Sequence, residues 1–269
     1  MTAAEGGGSS KSQIPSSKEA PSSNSQTFKD HFSKQAADYA KFRPHYPREL
    51  FRWLASIAPS TELGWDCATG NGQAAVELAE VFERVIATDA SEKQVANADA
   101  HPRVEYRVAP AENSGLDADC ADLITVAQAL HWFDLDKFYA EARRVLKPRG
   151  VLASWAYKLA TVTPPVDALV NHYYSEVVGA FWPAERVLVE KFEELSFPFP
   201  EIETPAFQME AEWNVEQLLG YLGTWSATQR FMAAESRDPL EEIEGELREA
   251  WGGNARRVIW PLTIRVGRV

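Results

Sequence analysis

The sequence predicts an α/β protein with a doubly wound, mostly parallel sheet, and three observations support this prediction. Short apolar runs alternate with segments whose apolar residues recur at helical spacing, and short turns connect them. The run at 63–67 is followed by two closely spaced glycines, Gly70 and Gly72. The next run, at 84–89, ends in an acid. Strands and helices that alternate in this way form a parallel sheet with helices on both faces.

The regular alternation begins at residue 48. Leu50, Phe51 and Leu54 fall on one side of the first segment, which predicts an amphipathic helix. The strands that follow are nearly continuous apolar runs, as expected for strands buried on both faces. The predicted elements are helix 48–58, strand 63–67, helix 73–83, strand 84–89, helix 91–98, strand 103–108, strand 121–127, helix 134–146 and strand 150–156.

The last third of the chain departs from this alternation. The predicted elements there are two helices over 164–195, a strand over 206–213, further helices over 214–250 and a final strand over 257–267. These helices carry several aromatic residues, and we expect them to cover a ligand at the carboxyl ends of the strands. The domain prediction is therefore a core at 48–157 plus the C-terminal strands, with a helical lid at about 160–250.

The N-terminal segment 1–26 is rich in serine and glycine, and Ile14 is its only aliphatic residue larger than alanine. Such a segment buries too little apolar surface to fold, so we expect a disordered tail before a folded domain at 27–269. The sequence leaves open whether this tail is a targeting segment. A helix is predicted from Phe28, and it must end before Pro44.

Composition restricts the class of protein and its partners. The formal net charge of −12 disfavours nucleic acid, which binds clustered lysine and arginine. No apolar run is long enough to span a membrane. Cys67 and Cys120 are the only cysteines, which argues against a disulfide framework and a zinc site. We expect a cytoplasmic protein, monomeric or weakly dimeric, without a metal.

Two strand ends together predict a nucleoside site. Asp66 lies at the end of the first strand, and Gly70 and Gly72 allow the following turn to approach a ligand closely. Asp89 ends the second strand, about twenty residues beyond the glycines, where a carboxylate can accept hydrogen bonds from both ribose hydroxyls.

The glycine spacing also satisfies the loose pattern of dinucleotide-binding enzymes, so an NAD(P)-dependent oxidoreductase is the main alternative. An ionised Asp66 would repel a pyrophosphate by about a kcal/mol or more at an effective dielectric constant near 20. It would instead attract the ammonium and sulfonium groups of S-adenosylmethionine (SAM), while the amides around 70–73 could receive the methionine carboxylate. Electrostatics therefore favours SAM as the cofactor.

Several motifs resemble the class I SAM-dependent methyltransferases, and in particular the trans-aconitate methyltransferase-like group. The segment 66–72 resembles the first motif of that class, with Ala68 where a glycine often stands. Gln94 is a departure, since relatives commonly carry an apolar residue near the adenine. The other matching segments are 32–47, 89–91, 111–112, 127–133 and 220–226. The resemblance implies a seven-stranded, Rossmann-like methyltransferase sheet whose last strand is antiparallel, an arrangement that NAD-binding sheets usually lack.

The resemblance, taken with the positions at strand ends, gives the candidate site residues. The predicted cofactor-binding residues are Tyr39, Arg43, Asp66, Ala68, Gly70, Gly72, Asp89, Ala90, Ala111, Glu112 and Gln128. The predicted substrate-binding residues are His131, Trp132, Trp155, Tyr157, Trp182, Trp225 and Arg230. Arg43 and Arg230 are candidate partners of an anion, and His131 is the candidate catalytic base because it follows the fourth strand and titrates near neutrality.

Methyl transfer from a sulfonium depends mainly on proximity and alignment, so a base is optional. The leading prediction is O-methylation of a carboxylate or hydroxyl of a small molecule. A non-catalytic SAM-binding protein and a protein or RNA methyltransferase are further alternatives. The acidic composition disfavours the RNA methyltransferase.

Overall fold

The computed structural model describes residues 44–269. The predicted tail at 1–26, the helix predicted from Phe28, and the candidate residues Tyr39 and Arg43 lie outside the described residues. Within 44–269, every helix is too short or too polar to cross a lipid bilayer.

A seven-stranded sheet in the order β3-β2-β1-β4-β5-β7-β6 forms the centre of the molecule. The strands are β1 (Leu63–Cys67), β2 (Arg84–Asp89), β3 (Val104–Val108), β4 (Ala121–Ala127), β5 (Leu146–Tyr157), β6 (Gln208–Trp213) and β7 (Arg256–Arg268). The first five strands pair in parallel. Strand β7 is antiparallel to both β5 and β6, so β6 runs in the same direction as the first five. The predicted fold class is confirmed.

Helices cover both faces of this sheet. They are α1 (Arg48–Ile57), α2 (Gln73–Ala79), α3 (Glu92–Ala96), α4 (Leu135–Val145), α5 (Pro164–His172), α6 (Arg186–Glu190), α7 (Val215–Gly223), α8 (Ser226–Glu235) and α9 (Glu244–Trp251). One apolar cluster joins α1, α2, α5 and α7–α9 to one face of the sheet. A second cluster joins α4 and Val189 of α6 to the other face. Because β1, β2 and β4 are in parallel register, their carboxyl ends meet at one edge of the sheet.

The segment between β5 and β6 differs from the prediction of two helices over 164–195. Only α5 and the five-residue α6 are α-helical there. A π-helical turn at Tyr173–Val177 and a 3-10 turn at Gly179–Phe181 separate them. Pro183 then restricts the backbone just before α6. Strand β5 also begins earlier than predicted, because Leu146 already pairs with Ala121 of β4. An irregularity separates this pair from the regular pairing that begins at Val151.

Candidate active site

A cavity of about 430 Å³ opens at the carboxyl ends of the parallel strands. Its volume lies in the range of small-molecule sites. The turns after β1, β2, β3 and β4 form most of its wall, and Tyr157 at the end of β5 also lines it. The predicted site residues that line it are Ala68, Gly70, Asp89, Ala90, Ala111, Glu112, Gln128, Trp132 and Tyr157.

The turn after β1 forms the floor of the cavity. Ala68 and Gly70 have positive φ angles of 56° and 58°. A Cβ atom on Gly70 would meet no protein atom within 4 Å, so this backbone faces open space. The Gly70 N–H donates to Asp89 at 2.9 Å and the Gly72 N–H donates to the Thr69 carbonyl at 3.0 Å. Two of the backbone N–H groups that were expected to bind the methionine carboxylate therefore already donate to acceptors within the protein.

Gly72 was expected to bind the cofactor, but it does not line the cavity. It is buried at the start of α2 with φ of 88°. A Cβ atom there would overlap the Tyr106 hydroxyl and lie 3.0 Å from the Tyr106 Cζ. Its glycine is thus required by close packing and by backbone conformation.

Asp89 lines the cavity at the end of β2, as predicted. Its Oδ2 accepts the Gly70 N–H at 2.9 Å and its Oδ1 accepts the Ser91 N–H at 2.8 Å. Burial raises the pKa of this carboxyl, and the two backbone hydrogen bonds act in the opposite direction. Asp89 therefore joins the turns after β1 and β2, and its carboxylate keeps further lone pairs that could accept hydrogen bonds from a ligand.

Asp66 lies beneath the cavity wall and does not line it; its side chain is 1% exposed. Its two oxygens accept hydrogen bonds from the hydroxyls of Thr69, at 2.5 Å, and Thr125, at 2.7 Å. Burial raises the pKa of Asp66 to about 6, against the lowering effect of these hydrogen bonds. Thr69 lines the cavity, so the Asp66 charge lies one residue behind the wall.

Glu112 and Gln128 hold the turns after β3 and β4. Glu112 accepts the Asp134 N–H at 3.0 Å, which ties the turn after β3 to the start of α4. Gln128 has φ of 58°, and its side chain donates to the Tyr157 carbonyl at 3.3 Å. A non-glycine residue in this conformation is strained, and such strain concentrates at functional sites.

His131 does not line the cavity. The centroid of its ring lies 4.6 Å from that of Trp132, which does line the cavity. Burial lowers the pKa of His131 to about 4, and the positive charge of Arg186 adds to the effect. The expectation that His131 titrates near neutrality is therefore wrong. At neutral pH the imidazole is uncharged and only a weak base.

We expect His131→Gln to leave the shape of the kcat/KM profile unchanged between about pH 5.5 and 8.5, because a group with a pKa near 4 does not titrate there. The measurement is methyl transfer over pH, with His101→Gln as the control, since His101 pairs with Glu80 outside the cavity. Loss of an inflection near neutrality in the His131 variant alone would restore the base role.

The remaining predicted substrate residues do not line the cavity. Trp155 is fully buried, and its ring lies 5.4 Å from that of Tyr46 and 6.1 Å from that of Phe51. Trp182 and Trp225 pack against each other at 5.5 Å. Arg230 lies in α8 and is partly exposed. These side chains were assigned from position along the chain, which does not fix the direction of a side chain.

Several cavity residues were missed. Thr69 and Asn71 lie in the same turn as the predicted glycines and Gln73 begins α2, so their position after the first strand was the available signal. Tyr46 also reaches the wall, from the segment before α1. The other missed residues are Ala74, Ser91, Asn97, Asp99, Ala109, Pro110, Ala127, Ala129 and Phe133. Gln94, the departure from the methyltransferase pattern, also lines the cavity.

Known proteins share this sequence and fold. Residues 65–154 match the family model described as a methyltransferase domain. A Dictyostelium discoideum protein assigned to the methyltransferases is 34% identical over 229 residues, which cover 83% of this chain and 87% of the relative. A solved structure assigned as a type II methyltransferase, from Anaeromyxobacter dehalogenans, is 49% identical with a TM-score of 0.80, covering 84% of this chain and 97% of the other.

A Saccharomyces cerevisiae protein named as an S-adenosylmethionine-dependent methyltransferase is 26% identical over 149 residues, covering 52% of this chain and 51% of the relative. The sheet topology also supports a methyltransferase. Antiparallel β7 lies between β5 and β6, whereas a dinucleotide-binding sheet has no antiparallel strand at that position. The NAD(P)-dependent alternative is thereby set aside. The chain belongs to the class I S-adenosylmethionine-dependent methyltransferases, and SAM is its cofactor.

Proposed function

We propose that this enzyme transfers the methyl group of SAM to an oxygen atom of a small organic acceptor, with a carboxylate as the leading acceptor group and a hydroxyl as the second. The proposal includes membership of the trans-aconitate methyltransferase-like group. The observation that carries it is the chemistry of the cavity wall, which in the described chain contains no histidine, lysine or cysteine.

The described residues fit SAM as the cofactor. Asp89 is available for the ribose hydroxyls, and Gln94, Ala111 and Glu112 form the adjacent wall, where the adenine would bind. The open space above Gly70 leaves room for the ligand to approach the backbone. The Asp66 carboxylate, behind Thr69, would favour the positive charge of the methionine end.

The acceptor would bind at the end of the cavity where β4 and β5 finish. Trp132, Phe133 and Tyr157 provide apolar wall there. When bound, SAM supplies an electrophilic methyl carbon: the acceptor oxygen donates a lone pair to this carbon, while the carbon–sulfur electron pair stays on sulfur and cancels the sulfonium charge. The aromatic side chains exclude water and align the acceptor.

A carboxylate suits this site better than a hydroxyl because it is already ionised at neutral pH. Removing a proton from a hydroxyl in the transition state needs a base whose pKa is near the working pH. The imidazole of His131, which packs against the wall residue Trp132, has a pKa of about 4 and is a weak base. An ionised acceptor does not need such a base.

The direct test has two stages. Thermal unfolding is first compared with SAM, S-adenosylhomocysteine (SAH) and NAD, because a ligand that binds only the native state raises its apparent stability. Labelled SAM is then used with a set of small acids, phenols, alcohols and thiols, and with protein and RNA substrates. Base-labile label on acids supports the proposal. Transfer only to nitrogen, sulfur, carbon or a polymer contradicts it.

We expect Gly70→Ala to separate cofactor binding from folding. The substitution places a methyl group in the open space over the cavity floor and should weaken SAM and SAH binding about tenfold or more. The positive φ also strains an alanine by about 1–2 kcal/mol. Gly115→Ala is the matched control, since Gly115 has φ of 70°, has open space at its Cβ position and does not line the cavity. Both variants should lose similar stability, measured by chemical unfolding, and only Gly70→Ala should lose affinity, measured by calorimetry. Equal SAH affinity in the two variants would contradict the assigned cofactor position.

A further inference from the structure

Gln94 is the third residue of α3, a position where a glutamine often completes a capping box. In a capping box the residue before the helix accepts the N–H of the third residue, and the side chain of the third residue accepts the N–H of the residue before the helix. Only the first half is present in α3. The Ser91 Oγ accepts the Gln94 N–H at 3.3 Å, but the Ser91 N–H donates to Asp89 Oδ1 at 2.8 Å. Asp89 thus accepts the hydrogen bond that Gln94 would otherwise accept.

Helix α7 shows the complete arrangement. The Asn214 Oδ1 accepts the Gln217 N–H at 3.0 Å, and the Gln217 Oε1 accepts the Asn214 N–H at 2.9 Å. Gln94 and Gln217 therefore occupy equivalent positions in two helices, but only Gln217 uses its side chain to cap its helix. Across residues 44–269, the side chain of Gln94 makes no hydrogen bond.

The side-chain amides on the cavity wall differ in their hydrogen bonds. Those of the described chain belong to Asn71, Gln73, Gln94, Asn97 and Gln128. The amides of Gln73, Asn97 and Gln128 donate to backbone carbonyls at 2.7, 2.7 and 3.3 Å. Within the described part of the chain, the amides of Asn71 and Gln94 make no such bond. Asn71 lies in the turn after β1, whereas Gln94 follows β2.

Gln94 lies on the part of the wall where the base of the cofactor would bind, beyond Asp89 at the end of β2. Helix α3 packs against β2 and β3. The Asp89 carbonyl accepts the Ala109 N–H at 3.0 Å, which joins the end of β2 to the turn after β3. Glu112 of that turn lines the same cavity, but its carboxylate accepts the Asp134 N–H and has no hydrogen to donate when ionised. The Gln94 amide, in contrast, offers both an acceptor and a donor to a ligand.

We propose that Gln94 determines the specificity of the cofactor site for adenine. Its Oε1 accepts a hydrogen bond from the 6-amino group of the base, and its Nε2 donates to the neighbouring ring nitrogen. An amide and adenine match because each presents one donor beside one acceptor. Because the amide has no partner in the described chain, binding the base breaks no hydrogen bond there. This inference rests on the cofactor position given in the proposed function, and it is independent of the methyl acceptor.

The test compares the binding of SAH with that of an SAH analogue that carries unsubstituted purine in place of adenine. The analogue lacks only the 6-amino group, and calorimetry measures both affinities. The wild-type enzyme should bind SAH about fivefold or more tightly than the analogue, the size of effect expected for one net hydrogen bond. Gln94→Met keeps the length of the side chain but removes its hydrogen-bonding groups, so it should reduce this affinity ratio by about threefold or more. Should Gln94→Met fail to fold, Gln94→Ala is measured in its place, with the same expected result.

Gln217→Met is the matched control, because Gln217 has the same position in its helix and does not line the cavity. It should lower the free energy of unfolding, since it removes half of a capping box, and it should leave the affinity ratio at the wild-type value. Gln94→Met should show the converse, with wild-type stability in chemical unfolding and a reduced ratio. The inference is overturned if the wild type binds SAH and the analogue alike, or if the two variants have the same ratio. A loss of stability in Gln94→Met as large as that in Gln217→Met would also overturn it, because the Gln94 amide would then be used within the folded protein.

Assays with labelled SAM separate this inference from the proposed function. An affinity ratio that depends on Gln94, without methyl transfer to oxygen, contradicts the proposed function and supports the role of Gln94. Methyl transfer to an acid, together with an affinity ratio that is unchanged in Gln94→Met, supports the proposed function and overturns the role of Gln94.

Discussion

Gly72→Ala is expected to lower the free energy of unfolding by about 2–5 kcal/mol, as the sum of backbone strain and overpacking. The new methyl group would overlap the Tyr106 hydroxyl, and φ at this position is 88°. Tyr106 cannot move freely, because its hydroxyl donates to the Asp99 carbonyl at 2.7 Å and thereby holds the turn before β3. Chemical unfolding measures the loss.

Two further variants identify its cause. Gly115→Ala carries the backbone strain without a neighbouring atom, so its loss should be about 1–2 kcal/mol. Combining Gly72→Ala with Tyr106→Ala should reduce the cost of the glycine substitution, because the ring is gone; the double-mutant cycle gives the coupling energy. A cost of Gly72→Ala that is the same with and without the Tyr106 ring would refute close packing as the reason for this glycine.

The sequence was sufficient to locate the central strands. The predictions 63–67, 84–89 and 121–127 coincide with β1, β2 and β4 because these strands are buried on both faces and their apolar runs have clear ends. The helices between β5 and β6 were harder to predict. Their ends depend on tertiary contacts, such as those of Trp182 with Tyr174 and Trp225, which helical spacing in the sequence does not reveal.

A similar division applies to the candidate site. Gly70, Asp89 and Gln128 could be placed from sequence because each lies at or just after the carboxyl end of a strand, and parallel strands end at one edge of the sheet. The depth of a side chain could not be inferred. Trp155 lies on the same face of β5 as the cavity residue Tyr157 but is fully buried in the core, and Arg230 does not line the cavity.

Asp66→Asn is expected to stabilise the ligand-free protein at pH 7.5 and to weaken its binding of SAM. Burial raises the pKa of Asp66 from 3.8 to about 6. Between these two values the folded state binds more protons than the unfolded state, so this group's contribution to stability falls as pH rises from about 4 to about 6. The shift corresponds to about 3 kcal/mol, and an asparagine would avoid that cost while losing some hydrogen-bond strength to Thr69 and Thr125. We expect a net gain of about 1–3 kcal/mol at pH 7.5 and little difference from the wild type at pH 4.

The effect on ligands should have the opposite sign, because the ionised carboxylate behind Thr69 attracts positive charge at the methionine end of the cofactor. SAM carries the sulfonium charge that SAH lacks, so Asp66→Asn should reduce SAM affinity more than SAH affinity, by about fivefold or more at an effective dielectric constant near 20. Unfolding curves at several pH values and calorimetry with both ligands measure the two effects in one variant. Parallel pH dependence of stability in wild type and variant would show that Asp66 does not titrate in this range. An unchanged ratio of SAM to SAH affinity would show that the Asp66 charge does not interact with the cofactor. A carboxylate that only supports the turn would affect the binding of a sulfonium and of a neutral thioether equally.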